Sequence, residues 1–156
     1  MIHTPLPKAC FTRRRLLQQT VAVWAMTLPA LPLAADSPAV QAAIDAIIGD
    51  RDAESGELSL TTPAIAENGN TVPIAVAAGG RFTADDYVEA IHILAPGNPV
   101  PEVVSFHFTP RSGYARAATR IRLAETQDVI AIAELSDGRV WRTANEVKVT
   151  IGGCGG

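Results

Sequence analysis

The sequence predicts an all-β sandwich of about seven strands, preceded by one short helix. From Leu58 onward, runs of β-branched and apolar residues recur at the spacing typical of a sandwich. Turn-forming dipeptides separate these runs, among them Asn68-Gly69, Gly79-Gly80 and Asp137-Gly138. The run at 114–124 alternates apolar and charged residues. This period of two indicates strands with one buried face.

A helix is predicted immediately before the strands. Pro38 suits the first helical position, Ser37 can cap it, and Gly49 can end it. The apolar residues lie on one helical face, at Val40, Ile44, Ile47 and Ile48. The acidic stretch 50–57 has no periodicity, which predicts a solvated connection.

The predicted strands follow this connection. They are 58–62, continued by 64–66 after Pro63, then 71–77, 87–95, 103–109, 114–124, 128–136 and 146–151. Pro73 lies inside the second run. Because proline cannot donate to a strand ladder, this run is predicted to be an edge strand.

The N-terminus has the features of an export signal. Residues 12–18, TRRRLLQ, precede an apolar stretch that is interrupted by Pro29 and Pro32 and is shorter than a membrane-spanning helix. The paired arginines resemble a twin-arginine signal, which exports folded proteins. Cleavage is expected after Ala35, and a retained anchor is the alternative. The expected organisation is a signal peptide at 1–35, a β-sandwich domain with its helix at 36–151, and a C-terminal arm at 152–156.

Charge excludes one class of partner. Removal of residues 1–35 leaves nine basic and sixteen acidic residues, a net charge of −7. An acidic domain repels phosphate backbones, so nucleic acid is not an expected partner. No segment after residue 35 is long and apolar enough to span a membrane, so no membrane contact is expected either.

Three arginines lie along one face of the run at 114–124. Arg116, Arg120 and Arg122 alternate with small and apolar residues. Such a row can bind an anion or the acidic surface of a partner. It can equally be a solvated strand face with acidic partners on the neighbouring strand.

Few residues outside the C-terminus suggest chemistry. After residue 35 the side chains suited to soft-metal or imidazole ligation are His92, His107 and Cys154. Both histidines alternate with apolar neighbours, which favours a hydrogen-bonded core or interface role over ligation. Hydrolase and phosphate-binding motifs are absent from the sequence. Nothing on the body of the domain is therefore predicted to be a catalyst, and the support for a metal site is weak.

The sequence ends IGGCGG, and this tail is the strongest functional signal. Cys10 leaves with the signal, so Cys154 becomes the single thiol, flanked by Gly152, Gly153, Gly155 and Gly156. Glycines make a thin arm with wide conformational freedom. Three functions fit: a covalent carrier arm, an interchain disulfide on a binding or assembly module, and an activated C-terminus as in ubiquitin-like sulfur carriers. The export signal argues against the third.

Several segments resemble the Y subunit family of the periplasmic Sox thiosulfate-oxidising system. They are PAIAENGNTVPI at 63–74, HILAPGNPVPEV at 92–103, TRIRLAETQDVIAIAELSDG at 119–138 and VKVTIGGCGG at 147–156. The resemblance implies an immunoglobulin-like sandwich in the periplasm that forms a heterodimer with a SoxZ-type β-sandwich subunit. A Cys154–Cys154 disulfide could join two such heterodimers.

The resemblance also implies a reaction cycle on Cys154. A haem c enzyme of the SoxXA type would join thiosulfate to the thiol, and a di-manganese hydrolase of the SoxB type would release sulfate. A molybdenum–haem enzyme of the SoxCD type, where present, would oxidise the remaining sulfur. These cofactors belong to the partner enzymes, so the implied chain carries none.

Overall fold

A computed structural model of the protein describes residues 38–80 and 82–152. The helix α1 extends over Pro38–Ile48, as predicted. It ends at Gly49, whose φ of 59° lies in the left-handed region that glycine tolerates without strain. The proposed cap Ser37 lies outside the described residues. No helix in the described ranges is long and apolar enough to cross a membrane.

Nine strands and one 3₁₀ turn follow in the described part of the chain. They are β1 (Ala53–Glu54), β2 (Leu58–Thr61), β3 (Ile65–Ala66), β4 (Val72–Ala78), β5 (Val88–Leu94), β6 (Glu102–His107), the 3₁₀ turn (Pro110–Ser112), β7 (Ala115–Ile121), β8 (Gln127–Leu135) and β9 (Val140–Val149).

The strands form two sheets. The larger sheet has the order β1-β9-β8-β5-β6, and β3 also pairs with β9. The smaller sheet has the order β2-β4-β7, with antiparallel pairing throughout. The two-sheet sandwich that the sequence predicted is thus confirmed. The short strands β1 and β3 pair with β9 in parallel, one near each of its ends.

Two apolar clusters stabilise this arrangement. The larger cluster fills the space between the sheets and includes Ile91, Val129 and Val147. The smaller one joins Val40 and Ile44 of α1 to Leu94, Ile130, Ile132 and Val140. Alternate residues of β5 and β8 therefore face the two clusters, and both strands are buried on both faces. The helix covers the outer face of the larger sheet.

Three sequence predictions about strands were wrong. The acidic connection contains β1, because two residues suffice to pair with the edge of β9. Strand β9 begins at Val140 rather than at residue 146. The polar residue Asn145 fits the inward face of this strand, because its side-chain amide donates to the Leu60 carbonyl at 2.7 Å. Pro73 is on β4, the middle strand of the smaller sheet. It is tolerated because β2 pairs only as far as Ala75, leaving Pro73 beyond the end of that ladder.

Candidate functional site at the base of the C-terminal arm

The structure reaches only the beginning of the predicted site. Cys154, Gly153, Gly155 and Gly156 lie outside the described residues. Gly152 is the last described residue, and the segment Thr150–Gly152, here called the arm base, follows directly on β9. The contacts of the arm base determine where the arm leaves the sandwich.

Hydrogen bonds attach the arm base to the loop after β3. Thr150 donates its amide to the Ala66 carbonyl at 3.0 Å and its hydroxyl to the Glu67 carbonyl at 2.9 Å. The Gly69 amide donates to the Ile151 carbonyl at 2.7 Å. Three bonds therefore hold two consecutive residues, although the Ile151 side chain is exposed. Hydrogen bonds of the backbone and of the Thr150 hydroxyl, rather than apolar burial, fix this segment.

Gly152 lies against the backbone of the loop that joins β7 to β8. A Cβ atom added to Gly152 would lie 2.2 Å from the Ala124 carbonyl oxygen. Any larger residue at this position would have to displace either that loop or the arm. Glycine at position 152 is therefore required by close packing, in addition to the access that the sequence suggested for it.

Asn98 holds the loop against which Gly152 packs. Its side-chain amide donates to the Arg122 carbonyl at 2.8 Å, and its side-chain oxygen accepts from the Ala124 amide at 2.9 Å. Gln127, a buried polar residue, donates to the same Asn98 oxygen at 3.2 Å and accepts from the Gly97 amide at 2.7 Å. The loops after β5 and β7 are thereby joined into one support.

Gly69 connects this support to the arm base. Its carbonyl accepts from the Leu123 amide at 2.8 Å, while its own amide binds Ile151. The turn predicted at Asn68-Gly69 is present, with the Asn68 side-chain oxygen accepting from the Asn70 amide at 2.9 Å. Besides forming the turn, Gly69 therefore joins the arm base to the loop after β7. Sequence reasoning also missed Asn98, Ala124 and Gln127. For Asn98 and Ala124 the available signal was their position in loops after strands, whereas Gln127 is the first residue of β8.

His92 is buried and hydrogen-bonded, as predicted, on the outer face of the larger sheet. Its Nδ1 lies 2.8 Å from Ser105 Oγ and its Nε2 lies 3.0 Å from Glu134 Oε1. Glu134 also binds Arg51, whose guanidinium donates to the Ile47 and Ile48 carbonyls at the end of α1. These polar contacts connect the end of α1 to the larger sheet. No group of three or more potential metal-ligating side chains was found within the described ranges.

For His107 the core alternative of the prediction is wrong, while the interface alternative stays a prediction. It lies at the end of the edge strand β6 and is exposed, with its ring edge-on to His92 at a centroid distance of 6.1 Å. An edge strand presents alternate side chains to solvent even where its sequence is apolar, so the alternation did not place this side chain in the core.

The Glu134 contacts predict an acid-dependent stability. Burial raises the pKa of the Glu134 carboxyl, but the hydrogen bonds and charges of Arg51 and His92 outweigh it and hold the pKa below the ordinary value of 4.5. A carboxyl with a lowered folded-state pKa stabilises the fold above its unfolded-state pKa, and this contribution disappears as the pH falls through the folded-state value. We expect Glu134→Gln to lower the urea midpoint at pH 7. The difference in midpoint between the wild-type protein and this variant should shrink progressively below pH 4.5.

The measurement is urea unfolding followed by far-ultraviolet circular dichroism between pH 3 and pH 7. Glu146→Gln is the matched control, because Glu146 is an exposed residue of β9. A wild-type advantage over Glu134→Gln that stays constant across this pH range would contradict the assignment.

The arginine row lacks the acidic neighbours that one interpretation required. Arg116 pairs in register with Ala77 and Arg120 with Pro73. Within the described part of the chain, Arg116, Arg120 and Arg122 form no ion pair. One hypothesis placed acidic partners for these arginines on the neighbouring strand. That part of the hypothesis is wrong, because β4 carries small residues beside Arg116 and Arg120.

A cleft of about 560 Å³ lies at the other end of the sandwich. Trp141, near the start of β9, forms part of its wall, and the Gly56 backbone packs directly on the indole. Arg139 lies over the indole ring at 5.6 Å from its centroid. A hydrogen bond from Arg139 to Asp137 raises the pKa of this guanidinium. The cleft is thus lined by a cation that already pairs with Asp137, and it is remote from the arm base along β9.

Comparison with known proteins identifies the family. The family model described as sulfur oxidation protein SoxY matches residues 44–154, which is more than two thirds of the chain and includes Cys154. The solved structure of the sulfur carrier protein SoxY from Chlorobium limicola f thiosulfatophilum is similar, with 32% sequence identity and a TM-score of 0.60. This match covers 72% of the present chain and 96% of that chain. Comparison with curated proteins gave no match.

More distant structures share the fold alone. A superoxide reductase (neelaredoxin) from Ignicoccus hospitalis is 16% identical with a TM-score of 0.53, covering 61% of this chain and 81% of that one. A putative superoxide reductase from Thermotoga maritima is 19% identical with a TM-score of 0.52, covering 62% and 87% respectively. The architecture and the family match together place the protein among small two-sheet sandwich proteins of sulfur oxidation. The chain belongs to the SoxY family.

Proposed function

We propose that this protein is a covalent sulfur carrier of thiosulfate oxidation and that Cys154 is the attachment site. The observation that carries the proposal is the SoxY family match, which extends to Cys154. The arm base supports it, because Thr150 and Ile151 are held to the sandwich while the next residues are glycine and cysteine. An anchored segment followed by a thin one suits a thiol that enters the narrow active site of another protein.

The proposed cycle begins with oxidative attachment. The Cys154 thiol and thiosulfate form a sulfur–sulfur bond, giving a Cys-S-S-sulfonate. This step releases one proton to solvent and two electrons to a haem c enzyme of the SoxXA type. Hydrolysis by a SoxB-type enzyme then breaks the bond between sulfur and the sulfonate. Water supplies the oxygen of the released sulfate, and a persulfide stays on Cys154. In these steps the chain supplies the sulfur atom, and its glycines leave the anionic adduct unobstructed.

The fate of the remaining sulfur depends on which partner enzymes are present. A molybdenum–haem enzyme of the SoxCD type, where present, oxidises it further, and a second hydrolysis regenerates the Cys154 thiol. These metals and haems act within the partner enzymes, so the carrier takes no cofactor of its own. The chain itself is a covalent substrate rather than a catalyst.

Membership of the SoxY family implies partners of the Sox system, of which SoxZ is one. We propose a heterodimer with a SoxZ-type subunit that works in the periplasm after twin-arginine export and loss of residues 1–35. Neutral flanking glycines and a single thiol also permit a Cys154–Cys154 disulfide between two such heterodimers as a resting form.

The test is the intact mass of the leader-free protein purified from thiosulfate-grown cells under non-reducing conditions. We expect added masses corresponding to thiosulfate-derived sulfur that disappear on treatment with a reductant. Cells grown without a reduced sulfur source supply the control. Observation of only a free thiol or a simple disulfide dimer under both conditions would instead indicate an assembly module.

A further inference from the structure

The outer face of the smaller sheet has an unusual composition. Alternation places eight side chains of β2, β4 and β7 on this face, which we call the arginine face: Ser59, Thr61, Pro73, Ala75, Ala77, Arg116, Ala118 and Arg120. Three of the eight side chains are alanine methyl groups, so few long side chains cover the backbone there. Its two charges are both positive.

The strand register arranges these residues in rows. Ser59, Ala77 and Arg116 lie side by side, and Thr61, Ala75 and Ala118 form the next row. Arg120 lies beside Pro73 in a third. Each arginine is therefore at the β7 edge of the sheet, beside small residues that neither pair with it nor cover it. Arg116 stacks on the ring of Tyr114, which is 48% exposed, at 5.2 Å from the ring centroid.

The outer faces of the two sheets differ in what packs on them. Helix α1 covers the outer face of the larger sheet, whereas no described element packs on the arginine face. An open groove of about 760 Å³ runs across it beside Pro73, Ala75 and Arg120. A solvated antiparallel face usually carries polar and oppositely charged side chains across its strands. Arginine and tyrosine exposed without oppositely charged neighbours are instead typical of protein interfaces.

We propose that the arginine face is a docking surface for a partner protein with an acidic surface. The inference rests on the proposed function, since the partner is one that acts on the arm. Arg116 and Arg120 would pair with carboxylates of the partner, while the alanine methyl groups let its backbone approach closely.

Charge favours an acidic partner protein over a second copy of this chain and over nucleic acid. A second copy of the chain using the same face would bring arginines against arginines, which is unfavourable. Nucleic acid would meet a protein that carries a net charge of −7 once residues 1–35 are removed. A positive face on an otherwise acidic molecule also orients the molecule during encounter with an acidic partner.

The position of the face relative to the arm supports a role in delivery. Strand β7 runs towards the arm base, and exposed Arg122 continues the arginine row beyond its end. Two residues further on, the Ala124 carbonyl touches Gly152. A partner docked along β7 would therefore meet the segment from which the arm leaves.

The test compares two double charge reversals of equal net charge. Arg116→Glu with Arg120→Glu alters the arginine face, and Arg142→Glu with Lys148→Glu alters exposed positions of β9 in the other sheet. Each is made in a Cys154→Ser chain together with its SoxZ-type subunit. Binding to the purified SoxXA-type and SoxB-type enzymes is measured at low and at physiological salt.

We expect the arginine-face variant to bind at least one enzyme about fivefold more weakly at low salt and to lose most of the salt dependence. The control should bind within twofold of the parent. Equal binding by both variants would overturn the proposal, as would failure of the arginine-face variant to assemble with its SoxZ-type subunit, which would make the face a permanent subunit interface. Arg116→Gln with Arg120→Gln gives a second variant should the reversal unfold the chain.

Because this assay needs no thiol, it is independent of sulfur attachment. Normal sulfur loading with unaltered binding by the variant would refute the docking surface alone. Altered binding together with an absence of sulfur on wild-type Cys154 would refute the carrier function alone.

Discussion

Replacing Cys154 with serine is expected to abolish thiosulfate-dependent sulfate release in a reconstituted Sox system. Serine retains the size and approximate polarity of the side chain, but its oxygen cannot form the sulfur–sulfur bond on which the proposed cycle depends. The loss should be complete within the detection limit, because Cys154 is the single cysteine after residue 35. Sulfate release is measured after each component has been shown to be active with the wild-type chain.

The fold provides the control for this substitution. Cys154 lies beyond the segment bonded to the sandwich, so the urea midpoint of Cys154→Ser should equal that of the wild-type protein. Assembly with the SoxZ-type subunit should likewise be unchanged. Sulfate release that persists in the serine variant would exclude Cys154 as the carrier atom.

Gly152→Ala is expected to slow sulfur loading by about tenfold to a hundredfold while changing stability little. The new Cβ would lie 2.2 Å from the Ala124 carbonyl oxygen, so one of the two segments must move. Ala124 is held by Asn98, whereas residue 152 is followed by a further glycine with wide backbone freedom, so displacement of the arm is the less costly response. A shift of about 1 Å in a reacting group can cost two orders of magnitude in rate.

The measurement combines the loading rate of Cys154 by the SoxXA-type enzyme with the urea midpoint. Gly80→Ala is the matched control, because a Cβ at that position meets nothing within 4 Å. We also expect a small disulfide reagent to label Cys154 equally fast in both variants, since it needs no defined arm direction. Equal enzymatic loading of Gly152→Ala and Gly80→Ala would show that arm direction does not matter.

The alternating residues were sufficient to predict the sandwich and the helix. Val40 and Ile44 lie on the buried side of α1, and the apolar positions of β7 face the core as their period of two required. Side-chain periodicity succeeds for α1 and β7 because each of them buries one face. The short strand β1 could not be predicted, since two residues show no period.

The chemistry of the arm was visible in the sequence, but its support was not. The bonds of Gly69, Asn98 and Gln127 join loops that are far apart in the chain, and many of them involve backbone atoms. Backbone partners leave no pattern in residue types. The arginine row was visible, yet only the register showed that Ala77 and Pro73 are its neighbours.

The position of Trp141 provides an optical probe that is independent of sulfur chemistry. It is the single tryptophan after residue 35, and Val149 lies eight positions further along β9, a span of about 26 Å in an extended strand. Its fluorescence therefore reports unfolding of the sandwich without quenching by a persulfide or thiosulfonate on Cys154. Loaded and unloaded forms can then be compared for stability in one titration, with no label and no mutation.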